Sequence, residues 1–425
     1  MSGAREAQGA HTAFDGPVHH VYIHVPFCRA RCDYCDFVSA PVGDPGAGRA
    51  GAQAARRLDE FTDGIATEWE LERTSHDVRR LRTLYLGGGT PSLLGPERLE
   101  RLLERFRPHL TPHAEVTVET NPEDVDGEFA RWAADAPVAG GAGAARGIRI
   151  SLGAQSFSPH LRAVLGRTAA ADPGDAFGRL RRAGVANLGI DLIHGIPGQT
   201  PELLGADIAA VLDLRPEHVS WYELDVIQGT ALAARLAAVS GADGVGAGAG
   251  LDPKAMPADP SDDVRAAGYR RVIHELSRAG YDWYEVSNFA LAGRRARHNV
   301  AYWRARPYLG LGPGAVSTVG ARRWTNGPDP AAWAAALATG ASPPRAAEEL
   351  DAATRAVERL LLAARCGERV PLAEVAAAVD LGAAASLARA GLVSLHGGTI
   401  RVTRKGRHVA NEVCVRLFRD SHLRG

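Results

Sequence analysis

The sequence has 425 residues, of which 45% are hydrophobic, so it is long enough for more than one domain and can bury a full core. Its 49 basic residues balance its 49 acidic residues, which argues against a strongly nucleic-acid-binding surface. No apolar run reaches the roughly 18 residues of a membrane-spanning helix, and residues 1–17, which we expect to be a disordered tail, are too polar for a secretory signal.

The first predicted strand, residues 21–25, leads into a loop that holds three of the five cysteines. Pro26 ends the strand, and Cys28, Cys32 and Cys35 follow within eight residues. Clustered thiolates select zinc or an iron–sulfur cluster over harder metal ions. A structural disulfide is disfavoured because the number of cysteines is odd and nothing indicates secretion. Free cysteines are typical of a reducing compartment, so we expect a cytoplasmic protein.

The number of thiols leaves two interpretations of this loop. Structural zinc sites and ferredoxin clusters normally take four protein ligands, but the second residue after Cys35 is Phe37. A four-iron cluster on three thiolates keeps one iron open for a small chelating ligand. A zinc ion held by three thiolates and a nearby histidine is the alternative.

Beyond this loop, predicted strands and helices alternate along the chain. Residues 41–54 are rich in glycine and proline and are expected to form a mobile loop. Strands are expected at 81–86, 115–119, 148–152, 185–193 and 218–223, and helices at 58–72, 96–106, 126–134, 159–165, 174–183 and 201–213. This alternation predicts parallel strands with right-handed crossovers. The fold class is therefore α/β, with an incomplete (β/α)6 barrel over residues 18–235 whose functional residues follow the carboxyl ends of the strands.

The second half of the chain changes in composition. Residues 236–261 are rich in Gly, Ala, Asp and Pro and are expected to be a disordered insertion. Residues 262–342 extend the barrel. Residues 343–425 are expected to form a small α+β, winged-helix-like domain, with helices at 351–365, 371–378 and 383–389 and a hairpin of strands 392–395 and 399–402.

The cysteine spacing Cys-x-x-x-Cys-x-x-Cys resembles the signature of the radical S-adenosylmethionine (SAM) superfamily. The resemblance implies a 4Fe–4S cluster on Cys28, Cys32 and Cys35, with the amino and carboxylate groups of SAM on the fourth iron. It also implies a partial (β/α)6 barrel. The segment Gly87-Gly88-Gly89-Thr90-Pro91 resembles the glycine motif of the superfamily, where a main chain without Cβ atoms can approach the ligand closely.

Further polar positions match SAM-contacting residues of the porphyrin branch of the superfamily. Carboxylates can accept from the ammonium or the ribose hydroxyls of SAM, and an arginine can donate to its carboxylate. Each residue taken singly could instead make a structural contact at a strand end. The SAM-binding residues implied by the resemblance are Tyr22, Tyr34, Gly88, Gly89, Thr90, Glu119, Gln155, Arg167 and Asp191.

Two features separate the members of this branch, which contains oxygen-independent coproporphyrinogen III dehydrogenase and the HemW heme chaperones. The dehydrogenase has a fourth cysteine where this chain has Phe37. The chaperones carry a heme-binding segment that His298, Asn299, Tyr302 and Trp303 match. Histidine is a common heme ligand, but a core histidine hydrogen-bonded to a neighbour is the alternative for His298.

Three positions depart from the pattern of the branch. Ala169 and Val316 stand where histidines are usual, and Gln228 stands where a glutamate is usual. These changes bear on the heme site more than on the cluster, because the cysteine and SAM positions are intact.

The resemblance implies a heme chaperone that transfers heme to an acceptor hemoprotein, for which a respiratory, membrane-bound protein is the natural candidate. Membrane contact would then be peripheral, and whether the chain forms a homodimer is left open. A radical SAM oxidative decarboxylase of coproporphyrinogen III is the enzymatic alternative. A winged-helix regulator with a redox-sensing cluster is a third class, but no nucleic-acid partner is expected, since fold alone does not imply function.

Overall fold

A computed structural model describes residues 14–43, 45, 48–140, 146–240 and 256–418 of the chain. Most of the expected tail, residues 1–13, and most of the expected insertion, residues 241–255, lie outside the described residues. Around that insertion, a helix continues to Ser240, five residues past the predicted barrel boundary, and Met256 is buried in an apolar cluster.

The core of the fold is one nine-stranded sheet whose first six strands are parallel and in chain order. This order confirms the predicted α/β barrel topology. The strands are β1 Val18–Val25, β2 Val78–Gly88, β3 Leu110–Thr120, β4 Arg149–Gln155, β5 Leu188–His194, β6 His218–Glu223, β7 Asp282–Glu285, β8 Asn288–Ala290 and β9 Leu309–Leu311.

The sheet is extended at both edges but does not close. Strand β9 pairs in parallel with β1, and the hairpin of β7 and β8 pairs antiparallel with β6. The order across the sheet is β9-β1-β2-β3-β4-β5-β6-β8-β7. The structure is therefore an open, partial barrel.

Helices connect the strands of this sheet and continue into the C-terminal part of the chain. They are α1 Gly48–Ser75, α2 Gly95–Phe106, α3 Gly127–Asp135, α4 Pro159–Val164, α5 Pro173–Ala183, α6 Pro201–Leu214, α7 Ala231–Ser240, α8 Asp262–Arg278, α9 Arg297–Trp303, α10 Pro330–Ala338 and α11 Ala352–Cys366. Short 3-10 turns lie at Pro91–Leu94, Arg107–His109 and Pro122–Asp124. None of the helices in the described ranges is long and apolar enough to cross a bilayer.

Helix α1 begins ten residues before the predicted start at 58, so the expectation of a mobile loop over 41–54 is wrong for its second half. Glycines at 48 and 51 suggested a loop, but the alanines between and after them are strong helix formers. Ala54 is buried one turn before Leu58. Tertiary packing of this extra turn therefore overrides the weak helix propensity of the glycines.

The two faces of the barrel strands differ in chemistry. Successive side chains of a strand point to opposite faces. The face against the helices carries Ile23, Leu86 and Val118, which belong to the main apolar core. The alternate positions, which form the concave face, carry polar side chains such as His20, Tyr22, Thr83, Tyr85, Glu119, Ser151 and Asp191. The open barrel therefore has a polar interior.

The C-terminal part is built from two three-stranded sheets. The first consists of β10 Val316–Val319, β11 Arg322–Asn326 and β12 Arg345–Glu349, so the barrel extension continues past the predicted boundary at 343. The second consists of β13 Val370–Pro371, β14 Val393–His396 and β15 Thr399–Val402, which contain the predicted hairpin. Helices α12 Leu372–Val375, α13 Leu381–Arg389, α14 Arg404–Arg407 and α15 Ala410–Leu417 complete a winged-helix-like unit with its own apolar core.

A buried carboxyl joins the first helix to this extension. Glu68 is fully buried and accepts hydrogen bonds from the backbone N–H of Gly312 (2.8 Å), Asn326 Nδ2 (2.6 Å) and Trp333 Nε1 (2.9 Å). Burial raises the pKa of Glu68 to about 7, although the three donors oppose this shift. One side chain thus holds three later segments of the chain against α1.

We expect Glu68→Ala to lower the free energy of unfolding by about 2–4 kcal/mol, because three buried donors lose their acceptor. Glu70→Ala is the matched control: Glu70 is exposed on the same helix and pairs with Arg73, and a surface pair contributes about 1 kcal/mol or less. Denaturant titration followed by circular dichroism measures both values. Equal effects of the two variants would contradict the assigned role of Glu68.

Candidate functional site

The three cysteines lie in a loop that is fastened to the carboxyl edge of the barrel. The loop begins in a two-residue parallel strand pair, Phe27–Cys28 with Ala40–Pro41. Within the loop, the backbone N–H of Asp33 donates to the carbonyl of Leu165 (3.0 Å), and its carbonyl accepts from Leu232 N–H (2.8 Å). The Asp33 carboxylate forms an ion pair with Arg235. The thiols are therefore presented on a held loop.

All three thiols are partly buried and line one cavity of about 340 Å³. Burial raises the pKa of the Cys28 and Cys35 thiols, and a bound metal would displace their protons. Phe37 lies at the cavity with 58% of its surface exposed. Within the described ranges, no three His, Cys, Asp or Glu side chains are arranged to hold a single metal ion. Three thiols gathered in one loop beside a cavity fit a multi-iron cluster held by three thiolates.

The glycine motif packs directly against the first cysteine. A Cβ on Gly89 would lie 2.5 Å from the Phe27 carbonyl oxygen and 3.0 Å from Cys28 Sγ. Gly88 has a φ of +105°, and a Cβ there would lie 2.6 Å from the ring of His24. Side chains at either position would force the strand end away from the cysteine loop, so these positions require glycine.

A chain of hydrogen bonds links the ends of three strands beneath the cluster loop. Thr90 Oγ1 donates to Cys28 Sγ (3.5 Å) and accepts from Asn121 Nδ2 (3.0 Å). Asn121 Oδ1 accepts from Arg167 (2.8 Å), which also donates to the carbonyl of Gly153 (2.7 Å). The Nε of Arg167 is buried and has no acceptor among the described residues. An anionic group entering the cavity would supply one.

Glu119 faces the same cavity with its carboxylate already oriented. It accepts from Tyr85 Oη (2.6 Å) and from the backbone N–H of Gly88 (3.2 Å). Burial raises the pKa of Glu119 to about 7, and the nearby carboxylate of Asp191 adds to this effect. A cationic ligand would favour its ionised form.

The remaining proposed SAM-binding residues are Gln155 on β4, Asp191 on β5 and Tyr34 in the cysteine loop. Gln155 ends β4 with a φ of +63°, which turns its side chain toward the cavity at a bulge in the pairing with β5. Asp191 accepts from Ser151 Oγ (2.9 Å), and burial raises the pKa of this carboxyl. Tyr34 lines the cavity and packs against the apolar cluster that contains Leu161.

The structure brings all but one of the proposed SAM-binding residues to this cavity. Tyr34, Gly88, Gly89, Thr90, Glu119, Gln155, Arg167 and Asp191 line it. Tyr22 lies outside the lining, where its hydroxyl bonds to His24 Nδ1 (3.0 Å) and its ring approaches Tyr85. Sequence reasoning missed Asn121 and Ser151. Asn121 directly follows β3 and so matched the rule of polar residues at strand carboxyl ends, whereas Ser151 lies within β4.

The heme-segment residues do not converge on one surface. They lie on α9, whose first backbone N–H groups, those of Arg297 and His298, donate to the carboxylate of Glu115 in the middle of β3 (3.1 and 3.0 Å). Trp303 packs against the ring of Tyr284, with centroids 5.7 Å apart. Asn299 is partly exposed.

His298 itself is a core residue. It is 1% exposed. Its Nδ1 bonds to Thr83 Oγ1 (2.7 Å), and its buried Nε2 has no partner among the described residues. Its ring packs edge-on against Tyr302, with centroids 4.6 Å apart, and lies tilted against Tyr85, with centroids 5.2 Å apart. The geometry favours the core-histidine interpretation over direct ligation of iron.

The chain resembles known proteins in both sequence and fold. The radical SAM superfamily model matches residues 22–209. The fold resembles coproporphyrinogen III oxidase (HemN) from Escherichia coli, a radical SAM enzyme, with a TM-score of 0.72 at 21% identity over 95% of this chain and 90% of that chain. At this low identity, the structural similarity shows a shared fold and no more.

Curated sequences are more similar. The heme chaperone HemW of Mycobacterium tuberculosis is 37% identical over 398 residues, which cover 92% of this chain and 93% of that protein. The chain belongs to the HemW family of the radical SAM superfamily. HemW of Lactococcus lactis is 34% identical over 309 residues, covering 72% of this chain and 71% of its own. Membership of the superfamily implies a 4Fe–4S cluster and SAM, and the three thiols and the cavity beside them fit these groups.

We expect Cys32→Ala to abolish cluster assembly, because three thiolates cannot spare one. Iron content and visible absorbance after anaerobic reconstitution should fall to background. Cys366→Ala serves as the control, since Cys366 lies on α11 outside the loop. Full iron and absorbance in Cys32→Ala would remove the loop as the cluster site.

We expect Glu119→Gln to weaken SAM binding by about tenfold or more, as for loss of a hydrogen bond to a charged group, about 1.5–3 kcal/mol. In the wild type, SAM affinity should rise as the pH increases through about 7, because Glu119 then loses its proton and becomes a charged acceptor. The variant should lack this step. Titration of cluster-loaded protein with SAM at several pH values measures this pH dependence of the affinity. The amine of SAM itself titrates equally with both proteins, so its contribution cancels in the comparison of wild type and variant. An identical pH profile would contradict the role.

Proposed function

We propose that the protein is a heme chaperone that binds heme and transfers it to an acceptor hemoprotein, and that it carries a 4Fe–4S cluster with exchangeable SAM. The observation that carries this proposal is the cysteine loop: it has three thiols and ends in Phe37, in a chain that is 37% identical to a HemW protein over nearly its whole length. A respiratory acceptor, peripheral contact with the membrane, a cytoplasmic location and a possible homodimer belong to the same proposal.

The roles of individual residues follow from their placement. Cys28, Cys32 and Cys35 would hold the cluster and leave one iron open. Glu119 and Asp191 would accept from the ammonium or ribose of SAM, and Arg167 would donate to its carboxylate. When bound, the cluster and SAM supply a ligand-dependent redox centre. The protein's part is to hold the loop rigid and to line the cavity with fixed acceptors and donors.

Oxidative decarboxylation of coproporphyrinogen III is a second candidate function. It is supported by the cavity, which carries the residues expected to bind SAM. The exposed Phe37 lines this cavity. In the decarboxylase branch, the resemblance implies a fourth cysteine there.

The test is hemin titration of the cluster-reconstituted protein, followed by incubation with dithionite, SAM and coproporphyrinogen III under anaerobic conditions. We expect stoichiometric hemin binding and no release of CO2. Absence of hemin binding would overturn the chaperone proposal. Conversion of coproporphyrinogen to protoporphyrinogen would replace it with the decarboxylase.

A further inference from the structure

A second cavity, of about 680 Å³, lies at the opposite, amino-terminal end of the barrel strands, beside α9. Its volume falls within the range of small-molecule sites, roughly 300–1,000 Å³. The cavity is unusually rich in cations. Its basic lining residues are His19, His20, Arg82, Arg295, Arg297, Arg304 and Arg306.

Part of this positive charge is already neutralised. Arg295 pairs with Asp282 (3.0 Å), and Arg304 approaches Glu368 at 3.9 Å. The acidic residue in the lining, Asp15, lies 3.7 Å from Arg355.

The other three arginines have no carboxylate partner in the described part of the chain. Arg297 donates to the carbonyl of His113 (2.7 Å). The side chains of Arg82 and Arg306 make neither an ion pair nor a hydrogen bond to described residues. All three are exposed to solvent at the mouth of the cavity. Three guanidinium groups without a carboxylate partner on one cavity fit a ligand with more than one carboxylate, which arginine binds through paired hydrogen bonds.

An imidazole in the same wall is available as a ligand. His20 is 9% exposed and lines the cavity. Its Nδ1 bonds to Thr83 Oγ1 (2.8 Å), and its Nε2 makes no hydrogen bond to described residues. Burial, then the charges of His19 and of Arg82, Arg297 and Arg306, lower the pKa of His20 to about 3, so the ring is neutral at physiological pH.

Thr83 couples this histidine to His298. The threonine oxygen lies 2.8 Å from Nδ1 of His20 and 2.7 Å from Nδ1 of His298. A hydroxyl has one proton, so it accepts from one ring and donates to the other. When Nδ1 of His20 carries the proton, its Nε2 carries a free lone pair. Such fixing of the tautomer by a hydrogen bond from the other nitrogen is how proteins orient metal-binding histidines.

Apolar groups complete the cavity. Val300 and Ala301 of α9 line it, and Pro307 and Arg306 are shared with an adjoining cavity of about 250 Å³ that Tyr302 also lines. Of the four matched positions of the heme segment, Tyr302 lines the smaller cavity, and His298 lines neither cavity. A flat apolar ring bearing carboxylates on one edge satisfies both the cationic and the apolar walls.

We propose that heme binds in this amino-terminal cavity, with its propionates on Arg82, Arg297 and Arg306 and its iron on Nε2 of His20. The inference rests on the proposed function and gives it a location. The imidazole lone pair forms the Fe–N bond and displaces the water or chloride on the iron of hemin, so no electron is transferred. His298 shares the Thr83 hydroxyl with His20 and does not itself bind the iron.

The first test compares Arg82→Gln/Arg306→Gln with a charge-matched control, Arg56→Gln/Arg270→Gln. Both control residues are exposed on outer helices. Hemin and hemin dimethyl ester are titrated into cluster-loaded protein, and binding is read from difference spectra. We expect the cavity variant to bind hemin at least tenfold more weakly while its affinity for the ester changes less than threefold. Equal losses for both ligands, or no loss for hemin, would overturn the propionate assignment.

The second test concerns the iron. His20→Ala should shift the Soret band of bound hemin, and added imidazole should restore the wild-type position, which a merely structural role of His20 would not produce. His298→Ala should keep the wild-type Soret position. A shift in His298→Ala alone would move the ligand to His298 and overturn the assignment to His20.

Hemin binding by the wild type separates the function from its location. If the wild type does not bind hemin, the chaperone proposal fails together with this site. If the wild type binds hemin and none of the cavity variants differs from its control, the chaperone proposal stands and only the location is wrong.

Discussion

The structure depends on one constraint: parallel strands carry all their carboxyl ends to the same edge of the sheet. Because β1 to β6 are parallel and in chain order, residues from distant parts of the sequence meet there. The cysteine loop follows β1, the glycine motif ends β2, and Asn121 follows β3. Thr90, Asn121 and Arg167 then bind these ends to one another by hydrogen bonds, so the loop that carries the thiols rests on a continuous polar base.

The same constraint gives the amino edge a different chemistry. Thiols and carboxylates gather at the carboxyl edge, whereas arginines and imidazoles gather at the amino edge. The polar interior joins the two because alternate residues of each strand face inward. His20, Thr83 and Glu115 lie side by side across three strands in one layer, and Tyr22 and Tyr85 lie in the layer above. A barrel interior filled with apolar side chains would offer no hydrogen bonds between the two edges of the sheet.

Much of the fold could be predicted from the sequence, as could the gathering of three thiols in one loop after the first strand. The period of strands and helices is local, and the cysteine spacing is short, so both are visible without tertiary information. The placement of the His298 side chain could not be predicted. Its motif gives residue types but not whether α9 turns the imidazole outward, and that is decided by Glu115 and Thr83, some 180 to 215 residues away in sequence. The start of α1 and the role of Asn121 depended likewise on packing partners that no local pattern reveals.

One contact path runs through the barrel from edge to edge. The ring of His298 packs on Tyr85, whose hydroxyl donates to Glu119, which in turn accepts from the backbone N–H of Gly88 beside the cysteine loop. Linkage makes any coupling along such a path reciprocal. Whatever factor SAM imposes on the affinity for a ligand at the amino edge, that ligand imposes on the affinity for SAM. Binding of cargo and binding of SAM would then share one coupling free energy. The hydrogen bond from Tyr85 to Glu119 is the single contact through which this path passes.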